Sequence, residues 1–60
     1  MTTYTDLIEL ALVCARQARQ TARHDVAMEF WRMALEYRAK AAHHGEPPDI
    51  GPPPPWTMKD

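Results

Sequence analysis

The chain has 60 residues, with 7 Lys and Arg against 8 Asp and Glu and a formal net charge of -1. That length suits at most one small domain and excludes most enzyme folds, which need enough chain to wall a pocket. Near-neutral charge argues against general nucleic-acid binding, which rests on neutralised phosphates. Hydrophobic residues make up 45% of the sequence, but nine of these are Ala, so few bulky groups are available for a core. A lone cysteine, Cys14, excludes an internal disulfide and fits a reducing compartment. The longest apolar run, Leu10 to Ala15, is six residues, against roughly 20 needed to span a bilayer. No basic segment precedes an apolar stretch at the N-terminus, which argues against a secretory signal. The expected location is therefore cytoplasmic, with no membrane insertion.

The first helix is expected over residues 4–22. Thr3-x-x-Asp6 resembles a capping box, and Asp6 and Glu9 place negative charge near the positive end of the helix dipole. Apolar residues recur mostly three or four apart at Tyr4, Leu7, Ile8, Ala11, Cys14, Ala15, Ala18 and Ala22. Arg16, Arg19 and Arg23 cluster toward the end, where positive charge suits the dipole. Leu10, Leu12 and Val13 add a second apolar patch, and a helix apolar on more than one face needs cover on more than one face.

A break is expected between Thr21 and Asp25, with Asp25 as N-cap. No Gly or Pro marks it, so a single continuous helix over residues 4–44 is the competing structure. The second helix, over residues 25–44, carries its stripe at Ala27, Phe30, Trp31, Ala34, Tyr37 or Arg38, and Ala41. Arg32, Glu36 and Lys40 form an i, i+4 row on the outer face. Gly45 suits the left-handed position after a helix end, and Pro47 and Pro48 prevent the helix from resuming.

Residues 46–60 hold all six prolines and read as an extended arm. Four consecutive prolines favour polyproline II, and at about 3.1 Å per residue the arm could reach roughly 40 Å. Trp56 is an anchor in search of a surface. The arm can dock on a partner, fold back on Tyr4, Trp31 or Tyr37, or remain free; the sequence leaves these open.

Residues 11–37 resemble one tetratricopeptide-type repeat. Ala15 and Ala18 fall where that motif's first helix carries its contact residues, and Ala27, Trp31 and Ala34 match the small, aromatic, small spacing of its second helix. Alanines let two helix axes approach while the aromatic fills the space beside them. The segment from Met33 to Tyr37 is also similar to short uncharacterised bacterial helical-hairpin proteins with a Met-Ala-x-Glu-Tyr stretch. The first resemblance implies a helical hairpin that binds protein. The chain holds one copy of the motif, whereas repeat arrays generally need about three for stability.

The expected fold is thus all-α, a two-helix antiparallel hairpin at residues 1–45 with a proline-rich extended C-terminal arm at residues 46–60. Its core is assigned to Leu7, Ala11, Ala15, Ala18, Ala27, Trp31 and Ala34. Contacts to a partner are assigned to Met28, Met33, Leu35, Tyr37, Ile50, Pro52, Pro53, Pro54, Pro55 and Trp56, since Met and aromatic residues outside a hairpin core suit partner contact.

Other chemistry-bearing residues have plainer readings. Cys14 lies on an apolar stripe, where a Cys is normally a small buried hydrophobe. His24, His43 and His44 match no zinc spacing, and adjacent His43 and His44 diverge on a helix. Glu29 and Glu36 lack the Glu-x-x-His signature of a di-metal site. No catalytic residue, cofactor or metal is assigned. The sequence is read as a non-catalytic accessory or assembly subunit that lays its second helix and arm on a larger protein. A homodimeric four-helix bundle is the alternative. A nucleic-acid-binding regulator using Arg16, Arg19 and Arg23 is a distant third.

Overall fold

The computed structural model describes residues 2–54, and these form two packed helices followed by an extended segment. Among the described residues there is no strand. Helix α1 spans Tyr4–Gln20 and helix α2 spans His24–Ala42. Only residues 21–23 link them, so the helices run antiparallel and the continuous-helix alternative is excluded.

The start of α1 is set by its cap. The Asp6 amide donates to Thr3 Oγ1 at 3.2 Å, and the Thr3 amide donates to Asp6 Oδ2 at 3.3 Å, so both arms of the capping box are made. The helix ends two residues earlier than the periodicity suggests. Thr21 turns to an extended conformation while its N–H still reaches Gln17 O, and Ala22 lies exposed in the link. Asp25 is not the N-cap of α2. Arg23 takes that position without a side-chain cap, and Asp25 falls in the first turn. There its carboxylate suits the dipole and accepts from the exposed Arg23 guanidinium at 3.1 Å.

Gly45 likewise differs from expectation. It does not have the positive φ that a left-handed cap requires; Gly51, at φ 85°, does. The end of α2 is satisfied by tight turns instead, with the His44 and Gly45 amides both donating to Ala41 O. Close approach is what Gly45 permits. A Cβ there would lie 3.0 Å from Tyr4 Cζ, so glycine leaves room for the tyrosine ring at the start of α1.

The helix seam is made largely of alanine. Leu7, Ala11, Cys14, Ala15 and Ala18 are buried on α1, and Ala27, Ala34 and Ala41 on α2. The three α2 alanines are seven apart, two turns, so they form one straight row of small side chains against α1. Small residues let the backbones approach, which buries little area per residue and leaves the bulky groups beside the seam. Trp31, Phe30, Met33 and Tyr37 flank it, half-buried.

The segment after α2 turns back onto this seam. Ile50 belongs to the core, only 3% exposed and clustered with Ala11, Cys14, Ala15 and Ala34. Its assignment as a partner contact is therefore corrected: the shallow depression left by alanines on both helices accepts a branched side chain from the same chain. Pro54 is fully buried as well. The assigned contacts Pro55 and Trp56 lie outside the described residues.

Candidate interaction surface

Two side chains of α1 hold the arm. The Tyr4 hydroxyl donates to Glu46 O at 2.5 Å, close to where α2 ends. Further along, Arg19 Nη1 donates to Ile50 O at 2.8 Å and to Pro52 O at 3.2 Å. Prolines lack an N–H, so a proline-rich segment offers mostly carbonyls, and a guanidinium, a donor-only group, is suited to donate to them. Between these anchors the arm bends where the Gly51 amide donates to Asp49 Oδ1 at 3.0 Å. The left-handed φ of Gly51 is needed there, and a Cβ would stand 3.1 Å from Arg19 Nη1. Tyr4, Ile8, Ala15 and Arg19 share one stripe of α1 by their spacing, and this stripe faces the arm.

The opposite side of the hairpin has no such cover among the described residues. Leu10 is nine residues from Arg19, about two and a half helical turns, so the two leave α1 in opposite directions. Leu10 is 38% exposed and Val13 49% exposed. Across the seam, Phe30, Met33 and Tyr37 are spaced three and four apart and present a matching stripe of α2. Leu7, Leu10 and Tyr37 line an open groove of about 500 Å³ edged by Thr2, Lys40, His43 and His44. A second groove, of about 300 Å³, adjoins it, lined by Thr2, Asp6, Glu9, Leu10 and Val13.

A third apolar feature runs along the outer edge of α2. Met28 and Leu35 are 47% and 43% exposed, and their seven-residue spacing stacks them on one edge. Leu35 precedes Tyr37 by two residues, about 200° around the helix, so this edge is separate from the open face. Of the residues assigned to a partner, Met28 and Leu35 are exposed on this edge, and Met33 and Tyr37 are half-buried on the open face. Pro52 and Pro53 are exposed, while Pro52 also gives its carbonyl to Arg19. The assigned core residues Leu7, Ala11, Ala15, Ala18, Ala27 and Ala34 are buried, and Trp31 packs beside them half-buried.

The remaining polar candidates do not converge. Arg19 is engaged with the arm and Arg23 with Asp25, so the cluster of Arg16, Arg19 and Arg23 is divided. Arg32, Glu36 and Lys40 are exposed, and no ion pair joins them. Lys40 Nζ instead sits 5.8 Å from the centre of the Tyr37 ring. Among the described residues no group of three or more His, Cys, Asp or Glu could hold a metal ion. Cys14 is buried and unpaired, and desolvation pushes its thiol pKa above the ordinary value, which disfavours the reactive thiolate. No described helix is long and apolar enough to cross a membrane.

The Arg19 clamp escaped sequence reading. Its guanidinium and its carbonyl partners are 31 and 33 positions apart, and no periodic pattern encodes such a contact. One local signal existed: an Asp-Ile-Gly stretch between a proline pair and a run of four prolines, with a single bulky residue in an otherwise stiff segment.

No family model matches this sequence, and comparison with curated proteins and with solved structures gives no match either.

Proposed function

We propose that this chain is a non-catalytic protein–protein interaction module, a small accessory or assembly subunit that docks on a larger protein through the outer edge of α2. The observation that carries this reading is the exposure of Met28 and Leu35 on one helical edge. Isolated apolar residues on a surface need no explanation, but a flexible thioether and a leucine stacked two turns apart suit a partner's groove. The tetratricopeptide-type spacing of Ala27, Trp31 and Ala34 supports the same use, because protein binding is what that resemblance implies. A cytoplasmic setting fits the lone reduced thiol.

The arm has a different role in this reading from reaching for a partner. Its described part closes one face of the hairpin, with Ile50 as plug and Arg19 as clamp. It lends a two-helix unit the third layer that two alanine-lined helices lack. A nucleic-acid role finds less support, since Arg19 and Arg23 are engaged within the chain.

The test is a Met28→Glu/Leu35→Glu double variant, expressed with an affinity tag in its native host and cross-linked before purification. Both side chains are exposed, so circular dichroism should show unchanged helicity. The account expects at least one protein captured stoichiometrically by the parent chain to be lost with the variant. Capture of the same proteins in the same amounts by both chains contradicts it.

A further inference from the structure

We propose that the open face, opposite the arm, pairs with a second copy of this chain about a two-fold axis. In that pair α1 of each copy lies on α2 of the other, with corresponding ends together.

The arm occupies the side of the seam toward which Tyr4 and Arg19 point. The other side keeps Leu10 and Val13 exposed and Phe30, Met33 and Tyr37 half-buried. On each helix these residues recur three or four apart, the spacing with which bundle helices form a second seam against a facing pair.

Charge selects the occupant. The two grooves on this face share Thr2 and Leu10 but have rims of opposite sign. Lys40, with His43 and His44, edges the groove beside α2. Asp6 and Glu9 edge the one beside α1. Two neighbouring patches of opposite sign, placed either side of an apolar centre, are self-complementary under a two-fold rotation through that centre. With the axis passing near Leu10, Lys40 of one copy meets Glu9 of the other, and the reciprocal contact forms automatically. Asp6 is already engaged in the α1 cap, which leaves Glu9 as the acid without a partner among the described residues.

The reversed arrangement, with opposite ends together, makes a different match. It would set Lys40 against the link end of the second copy. The exposed acid there is Glu29, since Asp25 is already paired with Arg23, so a Lys40–Glu29 pair marks that arrangement and the Lys40–Glu9 pair the one proposed. An unrelated partner would need an apolar centre flanked by both signs in the right order, which a second copy carries by construction.

The closing experiment uses the full chain in sedimentation equilibrium, with circular dichroism as a check on folding. The parent chain should be a dimer whose affinity falls as salt rises. Val13→Glu should give a helical monomer. Glu9→Lys and Lys40→Glu should each weaken the dimer about three- to tenfold, and the two together should restore it, since exposed pairs contribute modestly and reversal of both signs regenerates the match. A parent chain that remains monomeric at high concentration overturns the proposal, as does a dimer indifferent to Val13→Glu. A dimer broken by Val13→Glu whose charge reversals fail to compensate overturns the two-fold arrangement. None of these results touches the docking edge: Met28→Glu/Leu35→Glu should leave the dimer intact, and loss of its partner capture would stand independently.

Discussion

Replacing Ile50 with alanine tests whether the arm is part of the fold. The substitution removes three carbon atoms from a side chain that is 3% exposed. At about 0.8 kcal/mol per buried methylene, the transfer loss is about 2.4 kcal/mol. A cavity over Ala11, Ala15 and Ala34 would add to it if the arm stayed in place. The arm has another option, because it can lift away while both helices remain. The cost is therefore limited to whatever docking contributes to global stability, and about 2–3 kcal/mol is the expected range. Arg19→Met removes both hydrogen bonds that Arg19 Nη1 gives the arm and leaves the part-buried Ile50 carbonyl unsatisfied, a loss of about 1–2 kcal/mol. Both changes act on one docking equilibrium. The double variant should therefore lose less than the sum of the single losses. Urea unfolding followed by circular dichroism, at one fixed protein concentration, measures all four corners of the cycle. A loss below about 0.5 kcal/mol for Ile50→Ala, the size of an ordinary surface substitution, would refute the reasoning, and so would strict additivity of the two losses.

Two further predictions concern close contacts and titration. Gly45→Ala brings a Cβ to within 3.0 Å of the Tyr4 ring, so it should destabilise the parent chain but cost little in a Tyr4→Ala background; comparison of the two melts checks this. Cys14 should react with a thiol reagent only as fast as the protein opens, since the buried thiol is held protonated. The same burial sets a pH dependence. The folded-state pKa lies above the ordinary value of 9.0, so the unfolded chain releases this proton first as pH rises. The contribution of Cys14 is complete below pH 9.0 and falls away above it until the folded thiol ionises too. Stability of the parent minus that of Cys14→Ala, measured across that window, should decline with pH, and a flat difference contradicts the assignment.

Local chemistry made the helices readable. Thr3 and Asp6 lie three residues apart and make the reciprocal bonds that their spacing suggests. The alanine rows appear at helical intervals because packing two helices closely requires them there. The limits of the reading are equally physical. Asp25 and Gly45 have good propensities for caps, but propensity is a weak prior where a three-residue link and the Tyr4 ring set the backbone. The sequence assigns Ile50 to a partner together with the rest of the arm. Its cover comes from three alanines on two other elements, and their smallness, taken alone, signals only that helices approach. The residue types at the surface were visible in the sequence. Their division into a docked side, an open face and an outer edge depends on where the arm turns, which Gly51 and Arg19 decide together.

The central claim is that one face of this hairpin is closed by its own arm while the opposite face needs an external cover. Thermal unfolding of the purified chain over a range of concentrations tests it most directly, because association of folded chains makes Tm depend on concentration. The account predicts a Tm that rises with concentration in the parent chain and no longer does so in Val13→Glu. A sharp, cooperative melt at one temperature regardless of concentration would contradict it.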